Sequence, residues 1–241
     1  MAVSFSADQF KSDQWANLSD QDKQEQLQAL ENEMAANQGR EAREVVISSE
    51  YSNGGCYQSD GEGGGTIYIS ENDFDSNGYE CMDTVYHEGR HAYQDDVVHD
   101  RIENSETPET KQAWAHDDQR GDYIPAGEAN EQGRYCDYYY QPQEADAYGF
   151  AQDKMDSCSA QFRDDPQYQE YVTNREYARA MAEENGKDIY GVNDEQAVKD
   201  SVHDRVEQRY ADNHPEEAQE SGQSQDAAPA QAQSNSNDQS Y

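Results

Sequence analysis

"DTVYHEGRHAYQDD", residues 83–96, places two histidines four positions apart, with a glutamate directly after the first. On an α-helix, residues at that spacing lie on one face about one turn from each other, so the imidazoles of His87 and His91 reach the same cation. Zinc suits such a pair. Glu88, next to the first histidine, is placed to take a proton from a water whose pKa the metal lowers toward neutrality. Asp83 is a fair N-cap for this helix, which runs through Val85, Tyr86, His87 and His91 to about Gln94. Gly89 falls inside it at a cost of about 1 kcal/mol against alanine, a cost easier to understand where something approaches the backbone closely. The competing reading is two solvated histidines on a charged helix.

Outward from this stretch the chain reads as α+β. Residues 1–43 form an N-terminal helical segment: "LSDQDKQEQLQALENEMAANQGR" opens with Ser19 as N-cap, spaces Leu27, Leu30 and Met34 three or four apart, and stops at Gly39. "EVVIS" (44–48) and "GGTIYIS" (64–70) are β-branched and aromatic runs, read as antiparallel neighbours in a small sheet. "SDGEGGG" (59–65) is a loop before the second of them. A short helix is expected near 107–116, with Pro108 in its first turn. "GDYIPAGEANEQGRYCDYYY" reads as an irregular connector ending in tyrosines. Helical spacing resumes after Pro142, with Ala147, Phe150, Ala151, Met155 and Phe162 on one side. Residues 44–165 make the expected core, 166–214 two further helices packed on it, and 215–241 a Gln, Ser, Ala and Pro tail with too little to bury and expected to be disordered.

A catalytic zinc takes three protein ligands and keeps one position open. The metzincin spacing fails, because Gln94 and Val97 stand where a glycine and a histidine belong. His99 falls past the expected helix end and reads as a surface residue. Downstream, Glu144, Asp146, Glu128, Glu131 and His116 are the ligand-type side chains in reach.

Here the sequence resembles a gluzincin, the class in which an HExxH helix is completed by a glutamate from a later helix. In compact bacterial gluzincins of the ImmA/IrrE type that later helix reads glutamate, two variable residues, alanine, two more, then phenylalanine and alanine. This chain has Glu144, Ala147, Phe150 and Ala151 at those places, in "QPQEADAYGFA" (141–151). The resemblance implies that Glu144 is the third ligand, with Ala147 and Phe150 on the packed face behind it, and that the domain is zincin-like. It departs four positions after the ligand, where an Asp or Asn is common and this chain has Tyr148. Asp146, Asp95 and Tyr148 are therefore the candidates to steady an imidazole. "LQALENEMAANQGR" and "HEGRHAYQ" are also similar to uncharacterised zincins of bacterial mobile elements. Residues beyond about 165 gain nothing from the resemblance.

Composition bounds the function. Against 17 basic residues stand 52 acidic ones, a net charge of -35 that repels phosphate backbones and anionic lipids, so neither direct nucleic acid binding nor membrane attachment is expected. With 33% apolar residues the core must be lean, and the 18 tyrosines are expected to supply much of its packing. "MAVSFSADQFKSDQW" has neither a basic start nor an apolar run, so cytoplasmic residence is expected, with export by a route that reads no such signal left open. The four cysteines form no CxxC pair and read as free thiols, or as one or two disulfides in an exported chain. A P-loop, a GxSxG elbow and an EF-hand are all absent from the sequence.

The expectation is a zinc metallopeptidase. His87, His91 and Glu144 hold Zn2+, Glu88 activates water, and the substrate is a protein or peptide, a basic one if the acidic surface extends into the cleft. Tyr138, Tyr139, Tyr140, Tyr148, Arg134 and His116 are the candidates to meet the developing oxyanion. Arg90 points away from the metal into a salt bridge. Two rival readings are a catalytically silent zinc-binding scaffold and an acidic mimic of DNA that binds a basic partner.

Overall fold

A computed structural model describes residues 3–118 and 122–215. The tail expected to be disordered lies, from residue 216 onward, outside the described residues.

A 3-10 turn, Ala7–Phe10, leads into α1 (Ser12–Trp15) and then α2 (Asp20–Gln38). Ser19 caps α2 by accepting the Asp22 amide, and Gly39 ends it at φ 71°, a left-handed conformation that a side chain would strain. Leu27, Leu30, Met34 and Ala35 are buried along its inner face, at the helical spacing the sequence showed.

Three strands follow: β1 (Glu44–Ser48), β2 (Gly55–Ser59) and β3 (Gly65–Ser70), ordered β1-β3-β2. β1 and β3 are neighbours, as expected, but parallel rather than antiparallel. The reason is β2, which the sequence reading left out. It pairs antiparallel with β3 through the glycine-rich loop, so the chain reverses twice between β1 and β3 and returns in the same direction. "GCYQS" carries a single β-forming aromatic and no alternation, which is enough for an edge strand held from outside but weak as a sequence signal.

α3 (Glu71–Ser76) then leads to α4 (Gly78–Val98), the helix of the HExxH motif. Its cap is Asn77, which accepts the Tyr79 amide at 3.0 Å. Asp83 is not the N-cap; it lies well inside the helix, which also runs past Gln94 to a C-cap at His99. The longer helix follows from burial: Tyr79, Cys81, Met82, Val85, Ala92 and Val97 are all fully buried, so apolar contact continues beyond the motif at both ends.

α5 (Pro108–His116) forms where expected, capped by Thr107. The connector contains two short helices, α6 (Ala126–Glu131) and α7 (Tyr135–Tyr139). α8 (Pro142–Phe162), α9 (Pro166–Tyr190) and α10 (Glu195–Asn213) complete the chain.

The layout is α+β, with α4 at the centre. α2 and α8 pack along its sides, and β2 and β3 lie against it. Its core joins Phe10, Trp15, Leu30, Ile67, Ile69, Met82, Val85, Met155 and Phe162. Tyrosines supply much of the rest: Tyr57, Tyr79, Tyr86, Tyr93, Tyr139, Tyr140, Tyr168 and Tyr171 are buried. Cys56, Cys81, Cys136 and Cys158 are all free. Among the described residues, no helix is long and apolar enough to cross a membrane.

Gly89 has the close neighbour its position suggested. A Cβ there would run into Met34, with Glu31 and Arg40 beside it, and the Gly89 carbonyl accepts the Arg40 guanidinium at 3.0 Å. Glu31 pairs with Arg40 at 2.6 Å, both side chains fully buried, so α2 is fastened to the back of the motif helix.

Candidate metal centre

α4 presents His87 and His91 on one face, and the first turn of α8 brings Glu144 against them. His87 Nε2 stands 3.1 Å from His91 Nε2. Glu144 Oε2 is 3.2 Å from His87 Nε2, and Oε1 is 3.4 Å from His91 Nε2. All three side chains are buried. Two imidazole nitrogens and a carboxylate oxygen pointing at one another repel through their lone pairs unless protons or a cation lie between. Tetrahedral bonds of about 2.0–2.1 Å place neighbouring ligand atoms about 3.3 Å apart, so the spacing suits zinc. Glu144 Oε2 is buried without a hydrogen-bond donor in good geometry, although it lies within ion-pair distance of His87. An acceptor left in that state fits a cation.

The charges agree with the geometry. Burial opposes protonation of His91, yet the Glu144 carboxylate beside it and the more distant Glu88 raise its pKa to about 9. Burial likewise opposes ionisation of Glu144, and the positive field of His91 together with both rings holds the carboxyl well below its ordinary range.

The support around the two rings differs from the sequence expectation. His91 Nδ1 meets Gln94 Oε1 at 2.8 Å. Gln94 Nε2 in turn donates to the Gln143 carbonyl at 2.9 Å and to Asp146 Oδ2 at 2.7 Å. Gln94 therefore steadies His91 directly and Asp146 acts one step further out. Asp95 accepts instead from Tyr57, Ser59 and Arg101. Tyr148 lies against His87 as a ring, centroids 4.4 Å apart. Arg90 points away, as expected, into Asp146 at 2.7 Å and over the ring of Tyr93.

The other ligand candidates are engaged elsewhere. His116 pairs with Glu207 and stacks on Tyr210, Glu128 pairs with Arg209, and Glu131 is exposed. His99 contacts Asp95 at 3.0 Å at the end of α4. Of the oxyanion candidates, Tyr148 touches His87, Tyr138 sits edge-on to Tyr123, and Tyr139 stacks on Tyr148. Tyr140 packs on Tyr139, and Arg134 turns to Asp137.

Sequence reasoning missed Tyr123, whose hydroxyl donates to Glu144 Oε1 at 2.6 Å. Burial and the Glu144 charge push that phenol far above its ordinary pKa, so it remains a donor. It lies in the connector before α6, where no periodicity marks it.

Glu88 is buried beside the centre, and its Oε2 accepts the Tyr57 amide of β2 at 2.7 Å. A cavity of about 280 Å³ opens next to His91 between β2 and α4, lined by Tyr57, Ser59, Asp95, Asp118 and Gln143 among others.

No protein family, curated protein or solved structure matches the chain.

Proposed function

We propose that the protein is a zinc-dependent hydrolase of peptide or amide bonds, with the metal held by His87, His91 and Glu144. The observation that carries this reading is the convergence of two buried imidazole nitrogens and the two oxygens of one buried carboxylate, with nearest separations of 3.1–3.4 Å. A zinc ion bound there would supply Lewis acidity toward a carbonyl and lower the pKa of water toward neutrality. Glu88 accepts the proton of the attacking water and returns it to the leaving amine. Tyr123 holds Glu144 Oε1 beside His91, which leaves Oε2 directed at His87. Gln94 fixes His91 with Nε2 facing inward. The cavity beside His91 admits substrate.

A second reading has one observation behind it. The Glu88 carboxylate bonds the Tyr57 amide and so fastens β2 to α4, as a structural residue in a silent zinc scaffold would.

Metal analysis by mass spectrometry, beside peptide hydrolysis assays on wild type and Glu88→Gln, tests both. About one zinc per chain, with hydrolysis lost in Glu88→Gln and metal retained, is the expected result. Zinc without turnover in either protein favours the scaffold, and a wild type without zinc overturns both.

A further inference from the structure

Tyr123 meets Glu144 through its hydroxyl, so the place of the third proposed ligand depends on what holds residues 122–124, which lead into α6. Burial alternates there: Asp122 and Ile124 are buried and Tyr123 between them is half-buried, as successive side chains of an extended segment point to opposite sides. Both flanking residues are tied down. The Ile124 amide donates to Gln141 Oε1 at 2.8 Å, and its carbonyl accepts Gln141 Nε2 at 2.9 Å, from the residue that caps α8. The Ile124 side chain is buried in one cluster with Val206 of α10.

Asp122 has no exposed surface, and a carboxylate taken out of water is costly unless polar partners meet it. Its partners come from the end of α10. Asn213 Nδ2 donates to Oδ1, and His214 Nε2 stands 3.4 Å from Oδ2, at ion-pair distance but without hydrogen-bond geometry. That end of α10 is itself held from α5: His116 bonds Glu207 at 2.9 Å and stacks on Tyr210 with centroids 3.7 Å apart, and Tyr210 stacks on His214. A continuous set of contacts thus runs from α5 through α10 and Asp122 to the backbone of Tyr123.

We infer that Asp122 is a positioning residue for Tyr123: clasped by Asn213 and His214, it fixes the backbone from which the Tyr123 hydroxyl holds Glu144 Oε1. The inference rests on the metal centre proposed above and deepens it. It makes α10, which the gluzincin resemblance does not reach, part of the support of the third ligand. Asp122 touches neither metal nor substrate and acts only through Tyr123.

The test is a double-mutant cycle on the full chain, with zinc affinity read by competition with a chromophoric chelator. Tyr123→Phe should weaken zinc by about tenfold, the low end of what a hydrogen bond to a charged group contributes. Asp122→Ala should weaken it by about three- to tenfold, because it loosens that same bond without removing it. Asp122→Asn, whose side-chain carbonyl still accepts Asn213, should recover most of the loss. In the Tyr123→Phe background, Asp122→Ala should cost nothing further. An aspartate that merely stabilises the fold would add its effect to that of Tyr123→Phe, whereas one acting through the hydroxyl cannot. Asn213→Ala, on the exposed side of the contact, should repeat both results and is read in place of Asp122→Ala if that variant fails to fold.

Wild-type zinc affinity in the Asp122 and Asn213 variants, or a loss that persists in full in the Tyr123→Phe background, overturns the inference and leaves the metal centre standing, provided His87→Ala and Glu144→Ala lose zinc. If wild type binds zinc no better than those two, the metal centre falls and the inference with it.

Discussion

The two imidazoles of the centre stand in differently built surroundings. Around His91 the support is polar and complete: Gln94 holds the ring, and Asp146 and the Gln143 carbonyl hold Gln94. Arg90 then ties Asp146 to Glu106. Around His87 the neighbours are aromatic, Tyr148 backed by Tyr139, and Nδ1 is buried without a hydrogen-bond partner. One ring is thus braced by hydrogen bonds from α4 and α8, whereas the other rests against the Tyr148 ring.

That contrast sets a graded series of measurements. Removal of a ligand, in His87→Ala, His91→Ala or Glu144→Ala, should weaken zinc by more than about 100-fold, beyond the range that outer partners reach. Equal, small losses in all three would dissolve the comparison, since none would then be a ligand. Gln94→Ala should cost about 10- to 100-fold in the same chelator assay, because it frees the His91 ring. A loss larger in Tyr148→Ala than in Gln94→Ala would show that the aromatic side is the more fragile of the two.

Acidity separates the two sides further. In metal-free protein the His91 pKa is raised to about 9 by Glu144, so metal must displace a proton there at neutral pH. Zinc affinity should therefore rise about tenfold per pH unit between pH 7 and 8, read by chelator competition at each pH. The same shifts fix the sign for metal-free stability. The raised His91 contributes fully below its unfolded value of about 6.5, and this is lost as pH rises through about 9. The depressed Glu144 contributes above its unfolded value of about 4.3 and is lost as pH falls through its lowered one. Thermal unfolding should accordingly show both contributions in full from about pH 5 to 6.5. Smallest in the series, Tyr123→Phe should weaken zinc by about tenfold, the low end of what a hydrogen bond to a charged group contributes.

Much of this arrangement was legible in the sequence because it follows from helical spacing. His87 and His91 are a turn apart by construction, Gly39 marks the end of α2, and the apolar positions of α8 point inward as their periodicity requires. Glu144 entered through resemblance, and its carboxylate stands against both rings. The parts that were not legible rely on long-range partners. β2 is a strand because β3 and the Glu88 carboxylate hold it, and its own residues say little. Gln94 looks like any polar residue of a surface helix until α8 covers it. Tyr123 sits in a connector with no period, and only the folded chain brings its hydroxyl to Glu144. Asp83 read as a cap because aspartates favour helix starts, but the apolar residues before it extend the helix and carry it inside.

The glycine at the back of the motif helix makes the first forty residues indispensable. With Met34 filling the hollow at Gly89 and Arg40 bound to its carbonyl, α2 serves as the anvil on which the motif helix rests. A shortened chain beginning at β1 would bare that hollow to water and remove the Arg40 hydrogen bond to the Gly89 carbonyl. Such a truncation should come out insoluble or unable to hold zinc, although every proposed ligand would still be in it.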